Sequence, residues 1–385
     1  MVARDSGEEH RASTPLELFF DLCFVVAVAA ASTELHHSET EPGHLAAGVV
    51  SYLMVFFAIW WAWMNVTWFA SAYDPDDVLY RLSVLVVMAG ALVLAAGVPR
   101  AFEERDFTVV TVGYCVMRLS LVQLWLRAAH DDPPRRDTAV RMATGVSLCQ
   151  LGWVALLLVP VGLKLPGFAL LVVCELVVPV VAERANPTQW HPGHISERYG
   201  LFTLIVLGES VLSGSVAIGA AVTGSGQLAL VWGIAVGGLL LVFSMWWKYF
   251  ARTAVALLTS TRQGFVWGYG HLVVFASAAA TGAGIAVAVD QATGVADIDL
   301  RLAAACVTVP AALYLATVWW LHLRPQEGTD SRSFTLLGVG LVLLATFGPQ
   351  PVLLAGLAAA LTVAANVVLD VRASTTTRAA APESA

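Results

Sequence analysis

Acidic and basic side chains lie inside long apolar segments of this sequence, where ionisable groups are costly and mark candidate functional sites. Glu17 and Asp21 are four positions apart, so a helix places both carboxylates on one face. His194, Arg198 and Glu209 share one helical stripe, at spacings of four and eleven residues. This combination predicts acid–base chemistry or ion binding, with the deep Glu209 as a candidate proton carrier. Arg198 and Glu209 are too far apart along one helix to pair, so each is expected to have a partner on another helix.

Arg118, Glu175 and His271 also lie well inside apolar segments. Arg118 stays charged, so we expect a carboxylate or a wet cavity beside it, with Asp21, Glu175 and Glu209 as candidate partners. A purely structural ion pair is an equal alternative. His271 is interpreted as a hydrogen-bonded structural residue in preference to a ligand. The candidate substrate- or ion-binding residues are Glu17, Asp21, Trp61, Asn65, Trp68, Arg81, Arg118, Glu175, Glu197, Arg198, Glu209 and His271.

An aromatic segment followed by acids suggests a second kind of chemistry. Residues 60–69 include four tryptophans, more than an interfacial belt requires, so we expect some of them to line a cavity. Asp74-Pro75-Asp76-Asp77 comes next, and its D-x-D-D spacing resembles the general acid of class II terpene cyclases. In those enzymes neighbouring acids keep one aspartic acid protonated until it protonates an alkene, and the tryptophans would stabilise a carbocation. The alternative is a solvated turn with an ion pair to Arg81. If the protein is an enzyme, its candidate catalytic residues are Asp74, Asp76, Asp77, Asp21 and His194.

Metal and cofactor motifs are weak. The stretch 34–44 contains acids and histidines that could hold a divalent metal, but we expect a hydrated surface loop there. The five cysteines lie in apolar segments without CxxC spacing and are interpreted as small buried hydrophobic residues. The sequence has no Walker A loop, no dinucleotide fingerprint and no nucleophile elbow. We therefore predict no metal site and no cofactor.

The composition indicates a membrane protein. Of the 385 residues, 58% are hydrophobic and 13% are charged, and the mean hydropathy is +0.74. A soluble domain carries about twice that share of charge, so disorder, a collagen-like fibre and an ordinary soluble enzyme are excluded. The formal charge of −7, without a basic patch, argues against nucleic acid as a partner. The expected partners are the lipid bilayer and a small-molecule or ion ligand.

Runs of about 20 apolar residues are needed to cross a hydrocarbon core about 30 Å thick. We find twelve, at 16–34, 44–67, 78–98, 106–128, 139–160, 165–182, 196–219, 228–248, 264–288, 299–323, 332–347 and 350–370. They are apolar on all faces, which predicts helices, and a helix satisfies its own backbone in hydrocarbon. The expected fold is an all-α transmembrane bundle in a single membrane domain over 1–385, with a disordered tail at 372–385.

Charge between the spans predicts the orientation. Lys and Arg favour the side of the N-terminus by about four to one, so both termini are expected in the cytoplasm. The polar side chains of the spans then fall mostly in the cytoplasmic half, which predicts one polar vestibule opening inward, with Arg118 and Glu209 at its floor. Glu17-Leu-Phe-Phe-Asp and Glu197-Arg-Tyr-Gly-Leu-Phe begin spans 180 residues apart, a weak indication of two six-span halves, 1–183 and 196–370.

Several of these motifs resemble the bacterial low temperature requirement protein A family. They are Thr14-Pro15-Leu16-Glu17-Leu18-Phe19-Phe20-Asp21, the Trp-rich second span with Asn65, Tyr73-Asp74-Pro75-Asp76-Asp77 with Arg81, His194-Ile195-Ser196-Glu197-Arg198-Tyr199-Gly200 with Leu207-Gly208-Glu209-Ser210, and Lys248-Tyr249-Phe250 with His271. The resemblance implies a multi-pass protein of the bacterial inner membrane. It implies little about activity, because the family name records a growth phenotype.

Two functions fit these observations. The first is proton- or cation-linked transport of a small solute, in which carboxylates couple to the ion and arginines exchange partners. The second is an intramembrane enzyme that acts by general acid catalysis on a lipophilic, isoprenoid-like substrate. A sensory or assembly role is the third possibility.

Overall fold

A computed structural model describes residues 12–73, 75–224 and 228–380, and every regular element within them is helical. Twelve helices are long and apolar enough to cross a membrane, which confirms the predicted class and the number of candidate spans. In chain order they are α1 (Pro15–Thr40), α2 (Leu45–Ala72), α3 (Val78–Glu103), α4 (Thr108–Asp131), α5 (Arg136–Leu157), α6 (Val161–Ala182), α7 (Pro192–Gly224), α8 (Leu228–Phe250), α9 (Thr261–Thr293), α10 (Leu300–Val318), α11 (Thr329–Leu344) and α12 (Pro351–Ala380).

The predicted spans differ from these helices mainly at their ends. α1 continues to Thr40, so the surface loop expected from residue 34 onward is wrong over most of that stretch. Its last turns have partners that a hydrated loop lacks: Glu39 is buried, and His36 Nε2 lies 2.7 Å from Asp290 Oδ2. α12 continues to Ala380, and the predicted disorder of the tail at 372–385 stays a prediction. The rest of the predicted tail, 381–385, lies outside the described residues.

The chain divides into two compact units. Unit 1 consists of Met1–Glu34, Ala46–Ile205 and Leu258–Gly264, and unit 2 of Leu35–Leu45, Val206–Leu257 and Phe265–Ala385. Both α1 and α7 therefore contribute residues to each unit. The duplication suggested by the sequence motifs stays a prediction.

Close backbone contact joins α3 and α4 in unit 1. A Cβ atom added at Gly113 would lie 2.4 Å from Leu94 N and 2.6 Å from the carbonyl oxygen of Gly90. Glycines that face each other let helices approach closely in a membrane, where van der Waals contact drives association. α4 packs on α5, and α5 on α6, so this series of helices fixes the positions of polar side chains on α4 and α6.

Unit 2 is built around similar contacts. A Cβ added at Gly237 on α8 would lie 2.4 Å from the carbonyl oxygen of Val352 on α12. α10 leads directly into a π-helical turn, Trp319–Leu323, whose hydrogen bonds span five residues instead of four. This turn directs His322 into the interior of unit 2, where its side chain is buried.

Large apolar side chains cover the outer faces of the helices, and Leu119, Leu151 and Leu361 are each more than 60% exposed. On a chain with spans of this length such surfaces contact the lipid bilayer. Cys174 on α6 belongs to these exposed positions, which corrects the expectation that all five cysteines are buried.

Candidate functional site

Four ionisable side chains of unit 1 form one buried group, which we name the Glu17–Arg198 cluster: Glu17, Asp21, His194 and Arg198. Arg198 Nη2 lies 2.5 Å from Asp21 Oδ1, and Arg198 Nη1 lies 3.6 Å from Glu17 Oε1. His194 Nε2 lies 3.0 Å from the same Glu17 oxygen. None of the four side chains is more than 5% exposed. The four-residue spacings predicted that Glu17 shares a helix face with Asp21, and His194 with Arg198, but not that these two faces meet.

Neighbouring residues hold the two carboxylates in place. The backbone N–H and the hydroxyl of Thr14 donate to Glu17 Oε2, at 2.8 and 3.2 Å, so one oxygen of Glu17 caps the start of α1. Its other oxygen faces Arg198. The indole N–H of Trp63 on α2 donates to Asp21 Oδ1 at 2.7 Å. Glu17 thus has a structural role at the helix end and a place in the cluster as well.

The net charge of the cluster depends on the protonation of His194, whose Nε2 lies 3.0 Å from Glu17 Oε1. Two carboxylates face one guanidinium, so with His194 neutral the group carries one net negative charge. Several of its buried polar atoms have no hydrogen-bond partner in the described part of the chain: Asp21 Oδ2, Arg198 Nε and Arg198 Nη1. Unsatisfied buried donors and acceptors are uncommon in proteins and call for water, an ion or a ligand to complete them.

A second buried ion pair in unit 1 has one charge of each sign, and Arg118 Nε and Nη1 have no hydrogen-bond partner among the described residues. Arg118 Nη2 donates to Glu175 Oε2 at 2.7 Å, which selects Glu175 from the three predicted partners. The indole N–H of Trp61 donates to the same oxygen, at 2.9 Å, while Tyr114 Oη and Trp153 Nε1 donate to Oε1 at 3.0 and 3.1 Å. Four donors on one carboxylate, with one charge of each sign, describe a charge-balanced ion pair. The prediction that Arg118 lies at the floor of a wet vestibule stays a prediction.

The tryptophans of α2 act as packed hydrogen-bond donors. Trp61 and Trp63 donate to carboxylates, and Trp68 Nε1 donates to Tyr199 Oη at 2.9 Å. The ring of Trp63 stacks on Phe202, with centroids 4.4 Å apart. These contacts give Trp61, Trp63 and Trp68 partners within the protein, and the expectation that some of the tryptophans line a cavity stays a prediction. Sequence alone shows how many tryptophans a helix has, and only the neighbouring helices show what their N–H groups meet.

Smaller polar contacts lie around the same helices. The amide of Asn65 donates to the carbonyl oxygen of Trp61, one turn earlier on α2, at 2.7 Å. Glu197 accepts the backbone N–H of Ser13 at 3.0 Å and so joins α7 to the residues before α1. Both residues are structural in this arrangement, which differs from the ligand-binding role expected for them.

The acidic turn before α3 forms surface ion pairs. Asp76 accepts two hydrogen bonds from Arg81, at 2.8 and 2.9 Å, and both side chains are 57% exposed. Asp77 caps α3 by accepting the N–H of Tyr80 at 2.9 Å, and it also pairs with Arg127. Asp74 lies outside the described residues.

These pairs lower the pKa of both aspartates. The hydrogen bonds from Arg81 hold the pKa of Asp76 below its usual value, and those from Arg127 do the same for Asp77. A general acid that protonates an alkene needs the opposite, a carboxyl whose pKa is raised. The ion pair with Arg81 expected for a solvated turn is present, and the catalytic role of Asp76 and Asp77 stays a prediction that these pairs do not favour.

Glu209 differs from its prediction too. It lies on α7 within unit 2, half-buried, and accepts a hydrogen bond from Ser213 one turn later on the same helix, at 3.2 Å. A partner on another helix, as expected, is not found for it within the described residues. A carboxylate near a helix surface can accept a hydrogen bond from a hydroxyl on its own helix. The spacing of polar residues along one helix face does not show whether this happens.

Unit 2 has its own buried polar residues. His271 Nδ1 lies 2.7 Å from the carbonyl oxygen of Trp267, and its Nε2 lies 3.0 Å from Tyr249 Oη, which confirms that His271 is hydrogen-bonded. Lys248 Nζ lies 3.7 Å from Glu327 and donates to Thr335 at 3.0 Å.

Sequence reasoning missed several of these groups. They are Thr335, Glu327, Asn366 and His322, all of them buried. Glu327 and His322 could have been noticed, since both are ionisable residues at the end of an apolar segment. The residues that they contact, Lys248 and Tyr249, lie on α8, which is distant in the sequence. Among the described residues no three His, Cys, Asp or Glu side chains converge as metal ligands.

Comparison with known proteins shows which family this chain matches. The family model described as Bacterial low temperature requirement A protein (LtrA) matches residues 12–370. A protein of Rhizobium meliloti (strain 1021), described as "Uncharacterized protein RA0937", is 25% identical over 299 residues, which covers 71% of this chain and 68% of that relative. The region matched by the family model includes the whole Glu17–Arg198 cluster.

Proposed function

The chain belongs to the bacterial low temperature requirement A protein family, and from its candidate spans and its buried acid–base cluster we propose that it is a proton- or cation-linked carrier of a small solute. We place it in the bacterial inner membrane with both termini in the cytoplasm. The coupling ion binds at the Glu17–Arg198 cluster.

One observation carries this proposal: two buried carboxylates share a single guanidinium. A net negative charge in a membrane-embedded site is costly, so the site favours one additional positive charge. A proton on His194 or on a carboxyl, or a monovalent cation, would neutralise it. The Arg118–Glu175 pair contains equal charges and has no such requirement.

The arginine of the cluster has two carboxylates within reach. Arg198 lies 2.5 Å from Asp21 and 3.6 Å from Glu17. Neutralising Asp21 would weaken its attraction for the guanidinium, so Arg198 would move towards Glu17. Coupling to an ion requires two arrangements of the protein, one of which the bound ion favours. The free atoms of Asp21 and Arg198 are available for the ion or its water.

The experiment is a transport assay on the full chain in proteoliposomes, recorded as currents on a solid-supported membrane. Pools of amino acids, organic acids, sugars and monovalent cations are the probes. We expect a wild-type current that depends on the pH gradient, and a loss of roughly tenfold or more in Asp21→Asn. The matched control is Asp76→Asn, an exposed aspartate that we expect to leave the current unchanged.

Two results would contradict the proposal. One is a current in Asp21→Asn equal to that of wild type, and the other is the absence of any solute-dependent current in folded wild-type protein. If instead Asp76→Asn removed an activity that Asp21→Asn retained, the general acid on the acidic turn would be the better hypothesis.

A further inference from the structure

A buried histidine of unit 2 is presented by an unusual turn. The π-helical turn Trp319–Leu323 places His322 inside the unit, with its side chain only 2% exposed. Such turns are rare and occur frequently at functional sites. In the described part of the chain neither ring nitrogen of His322 makes a hydrogen bond of good geometry, although the ring lies against the backbone of Tyr249. A neutral imidazole contains one donor and one acceptor, so leaving both unsatisfied in a buried place is costly.

Two further ligand-type side chains surround this imidazole. The His322 ring centroid lies 4.7 Å from that of Tyr249 and 5.3 Å from that of His271. The ring of Trp267 stacks on His322 at 5.4 Å and closes the group from another side. The rings of three residues with nitrogen or oxygen donor atoms, Tyr249, His271 and His322, therefore pack against one another, with Trp267 beside them.

His271 already has the orientation of a metal ligand. Its Nδ1 lies 2.7 Å from the carbonyl oxygen of Trp267, so the proton of the neutral ring belongs on Nδ1. The lone pair is then on Nε2, which faces Tyr249 Oη at 3.0 Å. Metal-binding histidines characteristically donate their second N–H to a carbonyl or carboxylate in this way.

We propose that Tyr249, His271 and His322 form a binding site for a divalent transition-metal ion, Zn²⁺ or Cu²⁺. With metal–nitrogen bonds of about 2.0 Å, two imidazoles on one tetrahedral ion have ring centroids about 5 Å apart, and neighbouring ligand atoms lie about 3.3 Å apart. The measured separations are 5.3 Å between the imidazole centroids and 3.0 Å between His271 Nε2 and Tyr249 Oη. Imidazole and phenolate ligands suit these ions, whereas calcium and magnesium prefer carboxylates and water.

Binding has a defined proton balance. The hydroxyl proton of Tyr249 lies between its oxygen and His271 Nε2, and an ion bound to both atoms replaces it. Both imidazoles bind through a lone pair and keep their other N–H. One proton is therefore released for each ion bound. This site lies in unit 2 and is independent of the transport proposed for the Glu17–Arg198 cluster.

The test is Zn²⁺ titration of the full chain in detergent after chelator treatment, followed by calorimetry in two buffers of different ionisation enthalpy. We expect one Zn²⁺ per chain, and one proton released at a pH below the ordinary pKa of tyrosine. His322→Gln should weaken binding by roughly tenfold or more. Tyr249→Phe should abolish the proton release. His130→Gln, which changes an exposed histidine at the end of α4, is the matched control and should bind as wild type does.

Co²⁺ is a second probe, because its visible absorption distinguishes tetrahedral coordination from a hydrated ion at the surface. The proposal is wrong if wild type binds no Zn²⁺, or if His322→Gln binds it as tightly as wild type. Should His322→Gln fail to fold, Tyr249→Phe decides: proton release equal to that of wild type would exclude Tyr249 as a ligand. A rise in the Tm of wild type, but not of the variants, on adding Zn²⁺ is the supporting result.

Discussion

Arg118 and Arg198 are both buried in unit 1, yet their carboxylate partners differ in number. Glu175 alone balances Arg118 and accepts four hydrogen bonds, whereas Arg198 faces both Asp21 and Glu17. The first arrangement stabilises the packing of α2, α4, α5 and α6. The second places two carboxylates beside one guanidinium and leaves Asp21 Oδ2 without a hydrogen-bond partner among the described residues. On this difference in the number of carboxylates we propose a structural role for the first arrangement and a functional role for the second.

Stability measurements should separate these roles. Asp21→Asn replaces Oδ2, which has no partner, with an amide and keeps Oδ1, which accepts from Trp63 and Arg198. We expect it to lower the free energy of unfolding by less than about 1–2 kcal/mol. Glu175→Gln puts an amide NH₂ against existing donors and leaves Arg118 without a counter-charge. A loss of about 3–5 kcal/mol is expected.

Unfolding in detergent, followed by tryptophan fluorescence against denaturant, measures both values. Equal losses in the two variants would show that the Glu17–Arg198 cluster is only a structural ion pair. That result would remove the charge argument on which the proposed coupling site depends.

At the scale of residues, the sequence predicts which side chains share a helix face but not which helices touch. Glu17 with Asp21, and His194 with Arg198, could be grouped because the helix period places residues four apart on one face. The partner of Arg118 could not be chosen, since periodicity gives depth along a span and says nothing about which helices touch. Ring contacts such as Tyr249 with His322 join segments more than 70 residues apart, and no pattern within one segment encodes them.

At the scale of helices, small residues decide how closely neighbours pack. Gly113 on α4 faces Gly90 and Leu94 on α3, at distances that leave no room for a methyl group. By contrast, a Cβ at Gly340 on α11 would meet nothing within 4 Å. The two positions are alike in residue type and helical conformation, so they form a matched pair for substitution.

Gly113→Ala should therefore separate α3 from α4, while Gly340→Ala should be tolerated. We expect the first to lower stability by about 1–3 kcal/mol because backbone atoms must shift, as in an overpacked core. The second removes a flexible residue from a helix and should leave stability unchanged or slightly higher. Thermal unfolding of the two purified variants measures the difference. A Tm for Gly113→Ala at or above that of Gly340→Ala would contradict the close packing of α3 and α4.

For the whole molecule, the number of helices was the most predictable property. Hydrocarbon excludes unpaired backbone groups, so each sufficiently long apolar run had to be a helix. The ends of the helices were less predictable. α1 extends to Thr40 through acidic and histidine residues, because some of these have partners within the protein, such as Asp290 on α9 for His36. The division into two units inside α1 and α7 was not predictable, since apolar faces look alike whichever neighbour they pack on.

The excess of Lys and Arg on one side predicts the orientation, and fusions can test it. Green fluorescent protein joined to the C-terminus should fluoresce, whereas alkaline phosphatase at the same place should be inactive. Alkaline phosphatase inserted at Gly294, in the turn between α9 and α10, should be active. An insertion at Thr253, between α8 and α9, is the control expected to be inactive. Activity at the C-terminus would reverse the topology or remove one span from the count.

The π turn after α10 changes the direction in which later side chains project. In an unbroken α-helix, Tyr314 and His322 would point about 80° apart, since eight residues advance by about 100° each. The turn contains one residue more than an α turn. That extra residue restores the phase, so both side chains face α8: Tyr314 Oη donates to the carbonyl oxygen of Met245 at 3.2 Å, and His322 packs on Tyr249. A chain that lost this single inserted residue would be one residue shorter and would keep its hydropathy and its helices, yet its imidazole would swing about 100° away from the two side chains it meets now.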